Sequence, residues 1–341
     1  MTVNNTKRPT QSDVAKLAKV SRATVSFVLS EKDQQRIPIS EETKRRVFEA
    51  ARELNYSPDP VAQMLASGNN HLVGVFSYER LFPMQRDDFY YEFLLGIEMG
   101  ASTAGYNVIL FTRDESSNGE RLVFPRGHNQ LRLADGTILL GSQPNRAELS
   151  RLMDENYPFV HIGKRDVPGK QINWVACDYM SASEKITDHL AKQGHRSYAY
   201  IGPKEHNESN LDKLAGINQA LSQYERCRIQ KFDEDLLKSV HTIDEIEGLS
   251  TCTAILCSYE TTFHNVVDFL FRNDRKIPDD YLVVSLANIS DYQQLPFSPT
   301  YLRVNRPVWG EKAFSTLLEI LDDPAKGPLQ VRIPCDIVYG D

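Results

Sequence analysis

The sequence predicts a small all-α helix-turn-helix domain, joined by a hinge helix to a larger α/β domain of two lobes. Three observations predict it. Two short amphipathic helices meet at a three-residue turn within residues 10–29. Pro58-Asp59-Pro60 then breaks the chain ahead of one more short helical stretch. From Leu72 onward, apolar β-rich runs alternate with helical periodicity, the pattern of parallel sheets covered by helices. A chain of 341 residues is long enough for all of these parts.

Thr10 with Asp13 three residues on is a capping signature, and Val14, Leu17 and Ala18 recur at helical spacing. Ser21 caps a second helix whose inner face is Val25, Val28 and Leu29. Ala18-Lys19-Val20 joins the two, and in such a pair the second helix lies in the major groove of duplex DNA. A third helix follows from Ser40, with Val47, Ala50, Ala51 and Leu54 as its buried stripe and Lys44, Arg45 and Arg46 outside. Val61–Ser67 has room for two helical turns before Gly68-Asn69-Asn70, a length that is marginal in water by itself. Strands are predicted over Leu72–Phe76, Tyr106–Phe111, Gly136–Gly141, Phe159–Gly163, Ser197–Gly202, Thr253–Cys257 and Leu282–Leu286, with a helix from Phe89 to Ala104. Ligands of such sheets bind beyond the C-terminal ends of the strands.

Composition is that of an ordinary globular protein, 41% hydrophobic and 25% charged. No apolar run approaches membrane-spanning length and Met1–Thr10 lacks the apolar core of a signal peptide, so a cytoplasmic location is expected. Cys177, Cys227, Cys252, Cys257 and Cys335 fit no zinc spacing and read as reduced packing residues. The net charge of −7 divides unevenly. Residues 1–68 carry 11 Lys and Arg against 8 Asp and Glu, whereas the remainder carries 28 against 38. The acidic part repels DNA, so DNA contact is expected from the N-terminal module alone.

The matches Asp13-Val14-Ala15, Val20-Ser21, Thr24-Val25-Ser26, Ile39-Ser40, Arg46-Val47, Ala50-Ala51, Leu54-Asn55-Tyr56, Pro58 and Val61-Ala62-Gln63-Met64-Leu65-Ala66 closely resemble the lactose-repressor/galactose-repressor (LacI/GalR) family of bacterial transcription regulators. The resemblance implies a homodimer on a palindromic operator. Arg22 and Ala23 stand at the family's base-reading positions, with Phe27 one turn later. Arg22 suits guanine O6 and N7, with a phosphate contact as the alternative. Phe27 is open between an apolar base contact and packing within the small domain. Thr10, Ser21, Thr24 and Ser26 are placed for the phosphate backbone, together with the Lys7-Arg8 arm, with a helix cap alone as the alternative role of Ser21. Ala62 and Leu65 fall on the hinge helix, which by resemblance folds on DNA, pairs with its mate and enters the minor groove, with Leu65 as the wedge that kinks the duplex. Lys19 departs from the family's turn glycine, at a cost of about 1 kcal/mol. Asp59-Pro60 also departs, though both suit the start of a helix.

For the larger domain the landmarks are Gly96-Ile97-Glu98, Ala134-Asp135-Gly136, His189-Leu190, Gly194-His195-Arg196, Leu214-Ala215-Gly216, Ile277-Pro278 and Val304 with Gly310. By resemblance they imply a two-lobed α/β periplasmic-binding-protein-like domain. The expected boundaries are 1–58 for the DNA-binding domain, 59–70 for the hinge and 71–341 for effector binding and dimerisation. Lobe 1 is expected over about 71–176 plus 301–328 and lobe 2 over about 177–300 plus 329–341, with crossings near Cys177, Thr300 and Leu329. The cleft between lobes is the expected effector site, and the resemblance implies a small-molecule effector, a sugar. Its candidate contacts are Tyr78, Phe89, Tyr90, Arg113, Ser142, Lys164, Asp178, Lys213, Glu260 and Asn288, with Thr112, Asp114, Gln143, Arg165 and Tyr259 beside them. Sugar-binding relatives carry Arg where Lys213 stands and Gly-Phe-Asp-Asp where Ser285-Leu286-Ala287-Asn288 stands, and Glu260 replaces a common Asp. Those departures leave a purine, a protein corepressor or a degenerate cleft as alternatives. No catalytic or phosphate-loop motif is present, no cofactor or metal is called for, and the expectation is a repressor of carbohydrate-utilisation genes rather than an enzyme. An effector-blind DNA binder and a sugar or nucleoside enzyme on a two-lobed fold stand as the remote rivals.

Overall fold

The computed structural model describes residues 9–29, 39–57, 70–82, 89–113, 121–204, 207–290 and 292–340. The chain divides into two compact units, Met1–Asn70 and His71–Asp341.

Among the described residues, the first unit forms a three-helix cluster. α1 (Gln11–Ala18), α2 (Arg22–Leu29) and α3 (Glu41–Glu53) bury Val14, Ala15, Ala18, Val25, Val28, Val47, Ala50 and Ala51 against one another. Leu54 and Leu29 flank this core half-buried. Leu17, expected inside, is 42% exposed, and the smaller Ala15 takes the inward place because short helices crossing at a tight turn leave room only for small side chains. α1 ends at Lys19 in the left-handed conformation (φ 53°, ψ 47°), its amide donating to the carbonyls of Ala15 and Lys16. The turn keeps the geometry a glycine would take, with lysine in its place.

The second unit holds two six-stranded sheets. The first has the order β11-β5-β4-β3-β1-β2 and the second β12-β10-β9-β8-β6-β7. The strands of the first are β1 (Leu72–Ser77), β2 (Asn107–Phe111), β3 (Gly136–Leu140), β4 (Phe159–Ile162), β5 (Trp174–Cys177) and β11 (Gln330–Ile333). Those of the second are β6 (Ser197–Gly202), β7 (Arg228–Asp233), β8 (Ala254–Cys257), β9 (Leu282–Ser285), β10 (Thr300–Arg303) and β12 (Asp336–Val338). All pairings within both sheets are parallel except that of β10 with β12. The helices are α4 (Phe89–Ala104), α5 (Arg146–Asp154), α6 (Tyr179–Lys192), α7 (Glu208–Leu221), α8 (Leu236–Ser239), α9 (Glu260–Arg272) and α10 (Arg306–Asp322).

Each sheet is covered on both faces, as the alternation of side chains along a buried strand requires. Tyr198 and Tyr200 of β6 join the core under α6 and α7, while Ala199 and Ile201 of the same strand join the core under α9. One helix pair, α4 with α10, approaches closely through a glycine on each side. A Cβ on Gly96 of α4 would stand 1.9 Å from the Pro307 carbonyl oxygen, and one on Gly310 of α10 would stand 2.2 Å from that of Phe93.

The chain passes between sheets three times: after Cys177, after Arg303, and between Ile333 and Asp336. The second and third crossings were expected earlier, near Thr300 and Leu329. β10 runs parallel to β9, which keeps residues 300–303 in the second lobe. β11 runs parallel to β5, which keeps residues 330–333 in the first. Both strands are four residues long and only partly apolar, too short to show in hydrophobic periodicity.

Candidate functional site

In the first unit, local capping decides what the polar side chains are free to do. Thr10 and Asp13 close a reciprocal capping box: the Thr10 amide donates to Asp13 Oδ2 at 2.9 Å, and the Thr10 hydroxyl donates to the same oxygen at 2.6 Å. Ser21 Oγ accepts the Thr24 amide at 3.0 Å and pairs with Thr24 Oγ1 at 2.8 Å, so it caps α2. With Val25 and Val28 turned inward, the opposite face of α2 presents Arg22, Ala23, Ser26 and Phe27, all exposed. Phe27 is 41% exposed and stands outside the small core, which removes packing as its role. The arrangement is a short helix start with one guanidinium and two apolar side chains outward, able to meet base edges, with hydroxyls at the rim for phosphates. Lys7, Arg8, Ala62 and Leu65 lie outside the described residues.

In the second unit the expected effector residues fall into separate groups. The first surrounds Glu79, which the sequence reading passed over. Its Oε1 accepts both the amide and the hydroxyl of Ser142, at 2.8 and 2.6 Å, and its Oε2 accepts the Tyr90 hydroxyl. Burial works to raise the Glu79 pKa, but the hydrogen bonds from Ser142 and Tyr90 prevail and hold it below the ordinary value. Tyr78 precedes it, its phenol pKa pushed up by burial and by the nearby carboxylate of Glu148. Phe89 stacks edge-on to Tyr90 and lies under the Arg306 guanidinium, 4.6 Å from ring centre. Arg113 is exposed just past β2, an edge strand of the first sheet.

The second group is ionic and bridges the lobes. Glu208 and Asp212 stand one turn apart near the start of α7, in lobe 2, and both are buried. Four cations of lobe 1 meet them. Arg146 lies 2.8 Å and Arg165 3.7 Å from Glu208, while Lys164 lies 3.2 Å and Arg332 3.0 Å from Asp212. Glu208 also accepts the Asp166 amide at 3.0 Å. Burial opposes its ionisation, yet the backbone donors and Arg165 hold its pKa below the ordinary value. Asp178 caps α6 through Ser181 and lies 3.7 Å from Arg332. Like charges at this spacing repel on an isolated helix. That pair was therefore a legible sign of cations from elsewhere, and it was missed.

Lys213 is apart from both groups. It is 1% exposed, its Nζ donates to the Ser258 carbonyl at 2.6 Å, and it lies over the rings of Tyr179 and Tyr259 at 4.6 and 5.1 Å. Burial pushes its pKa down to about 7. Glu260 at the start of α9 accepts the Ser290 amide. Asn288 pins a crossing: its Oδ1 accepts the Val304 amide at 2.6 Å and its Nδ2 donates to the Val304 carbonyl at 3.0 Å. Both ends of that side chain are thus spent on backbone.

A three-helix DNA-reading module followed by a two-lobed sensor with polar groups at its strand ends defines the class: a sequence-specific DNA-binding transcription regulator. The description "Bacterial regulatory proteins, lacI family" matches residues 10–59, and "Periplasmic binding protein-like domain" matches residues 187–341. The catabolite control protein A of Staphylococcus xylosus is 30% identical over 284 residues, covering 81% of each chain. The ribose operon repressor of Halalkalibacterium halodurans is 29% identical over 341 residues, covering 96% of this chain and 94% of that one. The lac repressor dimer bound to operator and an anti-inducer superposes with a TM-score of 0.75 at 21% identity, over 98% of both chains. This chain belongs to the lacI family of bacterial regulatory proteins. Among the described residues no helix is long and apolar enough to cross a membrane.

Proposed function

We propose that this regulator is a cytoplasmic homodimeric repressor of carbohydrate-utilisation genes, released from or fastened to a palindromic operator by a sugar held between its lobes, and that it carries no enzymatic activity. The observation that carries the reading is the pairing of an exposed Arg22–Phe27 face on α2 with the Glu79–Ser142–Tyr90 cluster at the ends of β1 and β3. A carboxylate beside hydroxyls and aromatic rings is the chemistry that orients a polyol ring. The relatives support a carbohydrate: besides the ribose operon repressor, one matched structure is a CelR–cellobiose complex.

Arg22 is assigned to base reading, Ala23 and Phe27 to apolar contact, and Thr10, Ser21, Thr24 and Ser26 to the phosphate rim. Ala62 and Leu65 are assigned by resemblance to the minor groove. The effector contacts are assigned to Tyr78, Phe89, Tyr90 and Ser142 with Glu79. Lys164, Asp178 and Lys213 act at the lobe interface or beneath it. Arg113, Glu260 and Asn288 are dropped to supporting roles. Dimerisation is assigned to the second unit, where Tyr91, Leu95 and Met99 recur every four residues along α4, 59%, 36% and 55% exposed.

The test is a thermal-shift screen of the purified protein against pentoses, hexoses, disaccharides and purines. A ligand at about 100 times its dissociation constant stabilises the second unit by roughly 2.7 kcal/mol. A sugar hit lost in Glu79→Gln supports the site, and titration of selected operator DNA with and without that sugar gives the sign of control. A purine hit, or no hit with operator binding intact, overturns the sugar assignment.

A further inference from the structure

We propose that Cys177 and Cys335 are an oxidation site, closing to a disulfide that staples the first and third crossings between the lobes. Cys177 is the last residue of β5, where the chain first leaves lobe 1. Cys335 lies between β11 and β12, where it leaves for the last time. The two sulfurs are 2.6 Å apart, near the bond length of about 2.05 Å and well inside ordinary non-bonded contact. The strands that carry them are already fixed side by side. Cys177 is in register with Ile333, and the Asp178 amide donates to the Ile333 carbonyl at 2.8 Å. No backbone movement is needed to bring the thiols together. Cys252 and Cys257 are buried in the lobe 2 core around β8, away from either crossing.

The two thiols divide the chemistry. Cys335 is half-buried and open to a small oxidant, whereas Cys177 is buried. The hydrogen bond with Cys335 and burial both hold the Cys177 thiol in its protonated form, so the first attack on an oxidant falls to the more exposed Cys335. With hydrogen peroxide as oxidant, the Cys335 sulfur attacks one peroxide oxygen and the O–O bond breaks. The departing hydroxide takes up the Cys335 proton as water, leaving a sulfenic acid. The Cys177 sulfur then attacks that sulfur, the S–O bond breaks, and the second hydroxide leaves as water with the Cys177 proton. Two thiols lose two electrons and two protons, and peroxide becomes two waters.

The staple spans 158 residues of sequence and ties together two of the three segments about which the lobes turn. It therefore restrains lobe rotation whatever the effector is, and it does not rest on the sugar reading.

The full chain, reduced and then treated with hydrogen peroxide, is blocked with an alkylating agent, digested and mapped by mass spectrometry. The expected result is one joined peptide pair carrying Cys177 and Cys335. A melting midpoint raised by about 5 °C and reversed by dithiothreitol should accompany it, with slower hydrogen exchange over residues 177–179 and 333–336. Cys335→Ser abolishes all three effects and Cys227→Ser keeps them. Recovery of both cysteines as alkylated thiols, or of Cys335 as sulfinic acid alone, overturns the proposal. A joined pair with unchanged exchange at the crossings overturns the staple.

Discussion

At the residue scale, the decisive groups are those whose charge state the fold sets. Lys213 is the clearest. Its unfolded pKa is that of an ordinary lysine, 10.5, and burial lowers it to about 7 in the folded protein. Between those values the unfolded chain binds more protons than the folded one, so stability rises as pH climbs through that window, by at most about 1.4 kcal/mol per pH unit. Below pH 7 the folded protein carries the penalty of a buried ammonium, softened by two ring faces and the Ser258 carbonyl. Lys213→Met should therefore flatten the rise. Urea midpoints at pH 6.5 and pH 9 read this directly: the parent gains stability at the higher pH and the variant does not. Equal gains in both would show that Lys213 keeps its proton throughout. Arg22 poses the matching question for DNA. Arg22→Ala should relax preference at one base pair per half-site by about 1–3 kcal/mol in a selection experiment, whereas a uniform loss over all sequences would make it a phosphate contact.

At the element scale, helix contact distance controls the fold, and glycine sets it. On Gly216 of α7 a Cβ would stand 2.1 Å from the Met180 carbonyl oxygen and 2.9 Å from the Glu184 amide, both backbone atoms of α6. On Gly100 of α4 it would meet side-chain rather than backbone atoms, the buried Phe314 with its Cδ1 at 2.8 Å and its Cγ at 3.2 Å. Alanine normally favours a helix over glycine by about 1 kcal/mol. Gly216→Ala should nonetheless destabilise by about 2 kcal/mol or more as the helices are forced apart, with Gly100→Ala costing less because a side chain rather than a helix backbone must shift; thermal melts of the two side by side decide it. The same contrast explains what the sequence revealed. Ser197–Gly202 was legible because six consecutive buried residues of β6 stand out from their surroundings. β5, β7, β10, β11 and β12 were not: β5 and β10 are runs of only four residues, exposed and half-buried residues interrupt β7, β11 and β12, and the place of each is fixed by neighbours distant in sequence. At the candidate site Tyr90 and Ser142 were found from strand and helix ends. Glu79 was missed because nothing local distinguishes a carboxylate that will accept three hydrogen bonds from one in solvent.

At the scale of the whole sensor unit, charge joins the lobes in addition to the three crossings. Glu208 and Asp212 of lobe 2 are held by Arg146, Arg165, Lys164 and Arg332 of lobe 1. This clasp differs from a surface ion pair because Glu208 and Arg165 have side chains only 4% and 6% exposed. Breaking a buried pair from one side leaves the partner charge unpaired in a low dielectric, which costs far more than an exposed pair returns. Glu208→Gln keeps an acceptor for the Asp166 amide but removes the charge that Arg165 faces. The expected loss is about 3 kcal/mol near neutral pH. The sign with pH follows from the lowered Glu208 pKa: its contribution is present above the ordinary carboxyl value of 4.5 and is lost as pH falls through the folded value. Parent and variant should therefore differ at pH 7 and converge only as pH falls below the folded value, which lies under 4.5. Lobe motion should follow stability, so hydrogen exchange along α7 should quicken in the variant while α9, on the other face of the same sheet, keeps its rate. Equal quickening in both helices would mean that the charge supports lobe 2 as a whole, and the clasp would then have no part in fixing how the lobes close.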